Sequence, residues 1–116
     1  MLKTGPAKKV TVYVGEDVHH HGAPLYQAVL NYLFEHGVAG AIVTKGVAGF
    51  GAHHRMHTRR ILEMTENLPI KIEFVEQSPK LDDVLPGLTQ IVVHGLIEMH
   101  DTVVLTAPDV AEKGSL

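Results

Sequence analysis

The chain has 116 residues, 45% of them hydrophobic, a formal net charge of -3 and no cysteine. That size predicts one domain, 1–116, with a single core, and the apolar content excludes a disordered polymer. The charge argues against nucleic acid as the main partner, since binding a phosphate backbone needs a broad basic surface, and the lack of cysteine excludes disulfides and thiolate metal centres. No apolar run approaches the roughly 18 residues of a membrane span, and Met1 to Pro6 holds no apolar signal core. The expectation is a cytoplasmic protein that is not itself membrane-embedded.

Lys9 to Gly15 alternates, with Val10, Val12 and Val14 on one side and Thr11 and Tyr13 on the other, which predicts a strand with one buried face. A polar loop from Glu16 to Gly22 follows, carrying the run His19-His20-His21, read as solvated. Leu25, Ala28, Val29, Tyr32 and Leu33 fall on one helical face, with Pro24 suited to the first turn and Gly37 to the stop. A second strand is expected from about Ala39 to Val47, and a third at Ile70, Ile72 and Phe74. Ser78-Pro79 offers a cap and a first-turn proline for a second helix, whose stripe is Leu81, Val84, Leu85, Leu88, Ile91 and Val92 and whose end is Gly95. Pro86 interrupts that stripe, so this helix either starts near Asp83 or kinks. A last strand is expected from Leu96 to Leu105, and a frayed tail from 106 to 116.

The order β-α-β, long connection, β-α-β predicts the α+β class: a ferredoxin-like βαββαβ sandwich with one antiparallel sheet and two helices on one face, its core about 8–105. Tyr13, Val75, Ile97 and Met99 are assigned to the other sheet face. They are too apolar to leave in water, which points to a homo-oligomer.

The connection from about 46 to 68 is far longer than a hairpin needs, and loops of that length are usually functional. Its first part, Gly46-Val47-Ala48-Gly49-Phe50-Gly51-Ala52-His53-His54-Arg55-Met56-His57-Thr58, concentrates glycines, histidines and an arginine, with Arg59 and Arg60 next. Glycines let a backbone approach a ligand and present N–H groups, and the cationic side chains suit a phosphate. The competing readings are a tight turn with Phe50 in the core, a charged solvated loop, and a local cap at His57-Thr58. Ile61, Leu62, Met64 and Leu68 fit a short helix or an extra strand equally well. His53 and His57 are four apart with His54 beside them, so a metal is an alternative ligand, but the glycine-led loop predicts no helix to hold them in register. No Ser-His-Asp order, paired carboxylates or P-loop points to an enzyme.

The order of elements, the strand Ala41 to Thr44 leading into Gly49-Phe50-Gly51 and His57-Thr58, and Leu68-Pro69-Ile70-Lys71-Ile72-Glu73 together resemble the PII signalling proteins. The match is closer to the PII-like family designated domain of unknown function 190, through Gly15-Glu16, Gly22-Ala23-Pro24-Leu25-Tyr26 and Ala39-Gly40-Ala41. The resemblance implies a homotrimer with an adenine nucleotide or similar anion in clefts between subunits. It also implies a mobile loop that reports ligand state to a partner protein, plausibly a membrane transporter or channel. By position it implies that Gly49, Phe50 and Gly51 line the cleft, with no required cofactor; the charge to balance the anion is then expected from Arg55, His57, Arg59 or Arg60, with Thr58 beside His57 in the ligand site. Glu16 and Tyr26 fit the family pattern at the helix entrance, where either could contact a ligand and Tyr26 could equally pack at the helix–sheet seam. Two departures stand out. The phosphate loop of PII proteins is reduced here to Gly95 within His94-Gly95-Leu96-Ile97-Glu98, and Thr106 to Leu116 holds no arginine. AMP or ADP is therefore expected over a triphosphate. The alternatives are a copper- or zinc-binding trimer similar to the divalent-cation-tolerance proteins, using His53, His54, Met56 and His57, and a small ferredoxin-like enzyme.

Overall fold

The computed structural model describes residues 1–50, 57–58 and 69–108. Its elements in order are β1 (Gly5–Gly15), β2 (His19–His20), β3 (Ala23–Pro24), α1 (Leu25–Glu35), β4 (Ile42–Lys45), β5 (Ala48–Gly49), β6 (His57–Thr58), β7 (Pro69–Glu76), α2 (Lys80–Ile91) and β8 (Gly95–Val104). The main sheet is antiparallel in the order β4-β7-β1-β8. Each helix follows one strand and returns the chain to the sheet beside another, the arrangement expected from the element order.

Alternation decides which side of the sheet is filled. Val10, Val12 and Val14 stand opposite Phe74, Ile72 and Ile70 across the β1–β7 ladder. These six residues form one buried cluster with Leu25, Val29 and Leu33 of α1 and Leu81, Val84 and Leu88 of α2. Fully burying side chains of this size is worth about 1.5–3 kcal/mol each, so the core locks both helices to the same face.

The first helix ends as its sequence indicates. Gly37 takes φ +74°, and the N–H groups of Gly37 and Val38 donate to the carbonyls of Phe34 and Leu33. That is the paired closure of a Schellman ending, available at low cost to a residue without a Cβ.

Several expectations need correction. The first strand begins at Gly5, not Lys9. The second is shorter than 39–47: only Ile42–Lys45 pair with β7. Before it, the Ala39 N–H donates to the buried Glu76 carboxylate at 2.9 Å, which holds that segment out of the ladder. After it, the Gly46 N–H donates to the Pro69 carbonyl, and Pro69 has no N–H to return. Ser78 does not cap α2; Pro79 occupies the cap position, with no side-chain hydrogen bond. The helix starts at Lys80 despite Pro86, which lies on the exposed side where water can serve the carbonyl its ring leaves unbonded.

Val92 is buried but caps the helix, so α2 ends before Gly95. Gly95 opens β8 instead, where a Cβ would lie 2.7 Å from the Tyr13 carbonyl oxygen. Ile97 and Met99 pair with Val12 and Val10, which places them on the helix side and not on the opposite face. Tyr13 and Val75 are on that opposite face, as expected. Residues 105–108 follow β8 without regular structure, and the rest of the expected tail lies outside the described residues.

The helices meet through one close crossing. The Tyr32 hydroxyl donates to the Val84 carbonyl at 2.8 Å, and its ring occupies the space a Cβ on Gly87 would need. Gly87 is therefore required by packing and not by its dihedral angles.

Candidate ligand site at the neck of the long loop

The long connection leaves the sheet after Lys45 and returns at Pro69, and the structure closes these ends into a neck. A Cβ on Gly46 would lie 2.8 Å from Pro69 Cγ, and one on Gly49 would lie 3.1 Å from the same atom. The Gly46 N–H donates to the Pro69 carbonyl at 2.7 Å. Two glycines thus lie against one proline ring, so part of the glycine content of this stretch is spent on packing and not on a ligand.

Beyond the neck the chain pairs with itself, Ala48 opposite Thr58 and Gly49 opposite His57. The structure thereby brings together two of the segments picked out from sequence, Gly49 and His57-Thr58, as neighbouring backbone. Phe50 is 56% exposed, so it does not fill the core of its own chain. Gly51, His53, His54, Arg55, Met56, Arg59 and Arg60 lie outside the described residues, as do the side chains of His57 and Thr58.

Sequence reasoning misses Pro69 and Lys45. The spacing of Gly46 and Gly49 is the signal for a ring packed between them. Lys45 ends β4 and forms an ion pair with Glu16, just past the end of β1. The family pattern marks Glu16 as a possible contact but gives no hint of that partner. Tyr26, marked with it, is half-buried and packs against the core.

The histidine run forms a two-rung hairpin with β3. His21 and Gly22 both have positive φ, +51° and +84°, the signature of a type I′ turn. The His20 and His21 rings meet edge to face at 4.2 Å. Among the described residues, no three His, Asp or Glu side chains converge as a metal site.

Opposite the helices, the sheet face is polar at its centre. Glu73 receives Lys9 at 3.2 Å, Lys71 at 3.3 Å and the Thr11 hydroxyl at 3.3 Å. Partial burial works against ionisation of Glu73, but the two ammonium groups outweigh it and hold its carboxyl below the ordinary value. Tyr13 donates to Glu98 at 3.3 Å, and His100 lies 3.5 Å from the same carboxylate. Leu96, opposite Tyr13, is 56% exposed.

The described residues include two concave regions. One is lined by Leu30, Phe34 and Val38 to Ala41, the other by Pro6, Lys8, Gln77, Leu81 and Asp101. Neither reaches the neck. No described helix is long and apolar enough to cross a membrane.

The fold is PII-like, with the ends of the long loop closed at a neck. The family model DUF190, described as Uncharacterized ACR, matches residues 7–104, and the chain belongs to that family. It is 31% identical over 96 residues to the UPF0166 protein MJ1524 of Methanocaldococcus jannaschii, covering 82% of this chain and 88% of that protein. Among solved structures it is similar to CPII from Thiomonas intermedia K12, a nitrogen regulatory PII-like protein bound to ADP, AMP and bicarbonate. The TM-score is 0.64 at 20% identity, over 90% of this chain and 92% of CPII. It is also similar to CutA from Synechococcus elongatus PCC7942, with TM-score 0.58 and 15% identity over 99% of this chain and 94% of that one. At these identities the two structures establish a shared fold.

Proposed function

We propose that this chain is a non-enzymatic, cytoplasmic PII-like regulator. In this reading it binds an adenine nucleotide or a similar anionic metabolite between the subunits of a homotrimer and signals through the long loop. The observation that carries this reading is the neck. It holds Gly49 against Pro69, leaves Phe50 outside its own core, and has a cation, Lys45, at its foot. Backbone N–H groups, an exposed aromatic ring and a cation gathered at one place are what an anionic ligand between subunits would use. The bound nucleotides of CPII support the same ligand class.

The ligand's phosphate lies near the backbone of Gly49 to Gly51, with Arg55, His57, Thr58 and Arg59 around it. AMP or ADP is favoured because PII-type phosphate-loop residues are missing around Gly95. Binding orders the loop and changes its fit to a partner protein such as a membrane transporter or channel. It acts as a switch only if that partner discriminates between the two loop states.

Calorimetric titration of metal-free protein with AMP, ADP and ATP tests the reading, with magnesium as a control. Micromolar binding of a mono- or diphosphate, lost in Gly51→Val, is the expected result. Failure of all three nucleotides, with copper or zinc binding instead, overturns it in favour of the metal reading at His53, His54 and His57.

A further inference from the structure

Among the described residues, Lys45 is the cation at the neck. Its neighbour in the ladder, Lys71, pairs with Thr44, lies on the other sheet face and is engaged by Glu73. Lys45 pairs with Ile70, one residue from Pro69, while Gly15, beside Glu16, pairs with Pro69 itself. Because β7 runs between β4 and β1, the Glu16–Lys45 ion pair spans the end of β7 at the point where the loop returns. The lysine side chain is 36% exposed and the glutamate 22%. An ammonium has three donors and Glu16 engages one side of it, so Lys45 can face a second anion while Glu16 stays behind it.

The pair is only partly exposed, and a partly buried ion pair contributes little net stability because desolvation offsets the Coulomb attraction. Its effect on an anion arriving at the neck is larger and depends on that anion's charge. Attraction to Lys45 and repulsion from Glu16 both scale with the product of charges. With Lys45 in front the pair still attracts an anion, and Glu16 trims that attraction in proportion to the anion's charge.

We infer that the Glu16–Lys45 pair moderates how steeply affinity rises with ligand charge: Lys45 supplies the cation for the phosphate, and Glu16 cancels part of the gain that each added phosphate would bring. This rests on the nucleotide reading above and adds the residues that set how affinity depends on phosphate number.

The test is calorimetric titration of the full chain with AMP, ADP and ATP, without magnesium, for wild type, Glu16→Gln and Lys45→Met. Glu16→Gln is near-isosteric and should tighten ATP about tenfold or more, ADP less and AMP least, a tenfold change being about 1.4 kcal/mol. Lys45→Met should weaken all three, and Lys45→Gln replaces it if that variant does not fold. If wild type binds and Glu16→Gln shifts the three nucleotides by one common factor or not at all, the inference is wrong while the nucleotide reading stands. The inference fails in the same way if the lysine variant binds like wild type. If wild type binds none of the three, the nucleotide reading and this inference fall together.

Discussion

On its helix side the sheet sets Val10, Val12 and Val14 against Ile70, Ile72 and Phe74 and closes them under α1 and α2. On the other side the same strands set Lys9, Thr11 and Tyr13 beside Lys71, Glu73 and Val75, with one glutamate serving two lysines and a threonine. The first face is finished within one chain and depends on shape. The second is paired electrostatically at its centre yet leaves Tyr13, Leu96 and Ile42 exposed, so its apolar margin still lacks a cover. Neighbouring residues of one strand thus lie in two settings, the core of the chain and a partly apolar face that the proposed trimer would cover.

That contrast can be broken most sharply on the helix side. Leu88→Ala removes a side chain with no exposed surface and should cost about 2–5 kcal/mol in urea unfolding, through lost transfer energy and the cavity left behind. Gly87→Ala overpacks the helix crossing against Tyr32 and should cost about 1–3 kcal/mol by the same measurement. If Gly87→Ala is neutral, the Tyr32 crossing is not the contact that fixes the helix pair.

Substitutions on the opposite face should leave the single chain nearly as stable and act on association. Tyr13→Glu places a second carboxylate beside Glu98 on the uncovered face. If this face is the subunit interface, the substitution should shift the protein from oligomer to monomer in light scattering, at a cost in chain stability of about 1 kcal/mol. An unchanged mass would remove this face from the subunit interface.

The smallest effect is expected at Glu73→Gln, below about 1 kcal/mol at neutral pH. Its signature is in the pH dependence. A carboxyl held below its ordinary value of 4.5 stabilises the fold above that pH and loses the contribution as pH falls through the lowered value. Wild type and Glu73→Gln should therefore converge in stability as acid is added below pH 4.5, the wild type falling toward the variant. Parallel curves would mean that Glu73 gains nothing from Lys9 and Lys71. Asp101, held down by its hydrogen bond to Lys8, is a second such group on the surface.

Much of the architecture was legible because it depends on local periodicity. The valines of β1, the stripe of α1 and the stop at Gly37 are each set by residues a few positions apart. Boundaries were harder where a distant residue decides them. The early end of β4 depends on Pro69, the late start of the pairing segment on Glu76, and the Ile97–Met99 assignment on register against β1. At the candidate site, the glycines of 46–51 were visible but their division of labour was not. Gly46 and Gly49 answer to a proline ring some twenty positions away, and Lys45 acquires its partner across the sheet.

The sequence by itself determined the element order, the two-helix sandwich, the family resemblance and the position of the long loop, because hydrophobic period and turn residues act over short range. Tertiary structure alone decided which side Ile97 and Met99 face, what closes the neck, and that Glu16 meets Lys45. Those depend on strand register, and register is an agreement between segments that no single segment carries.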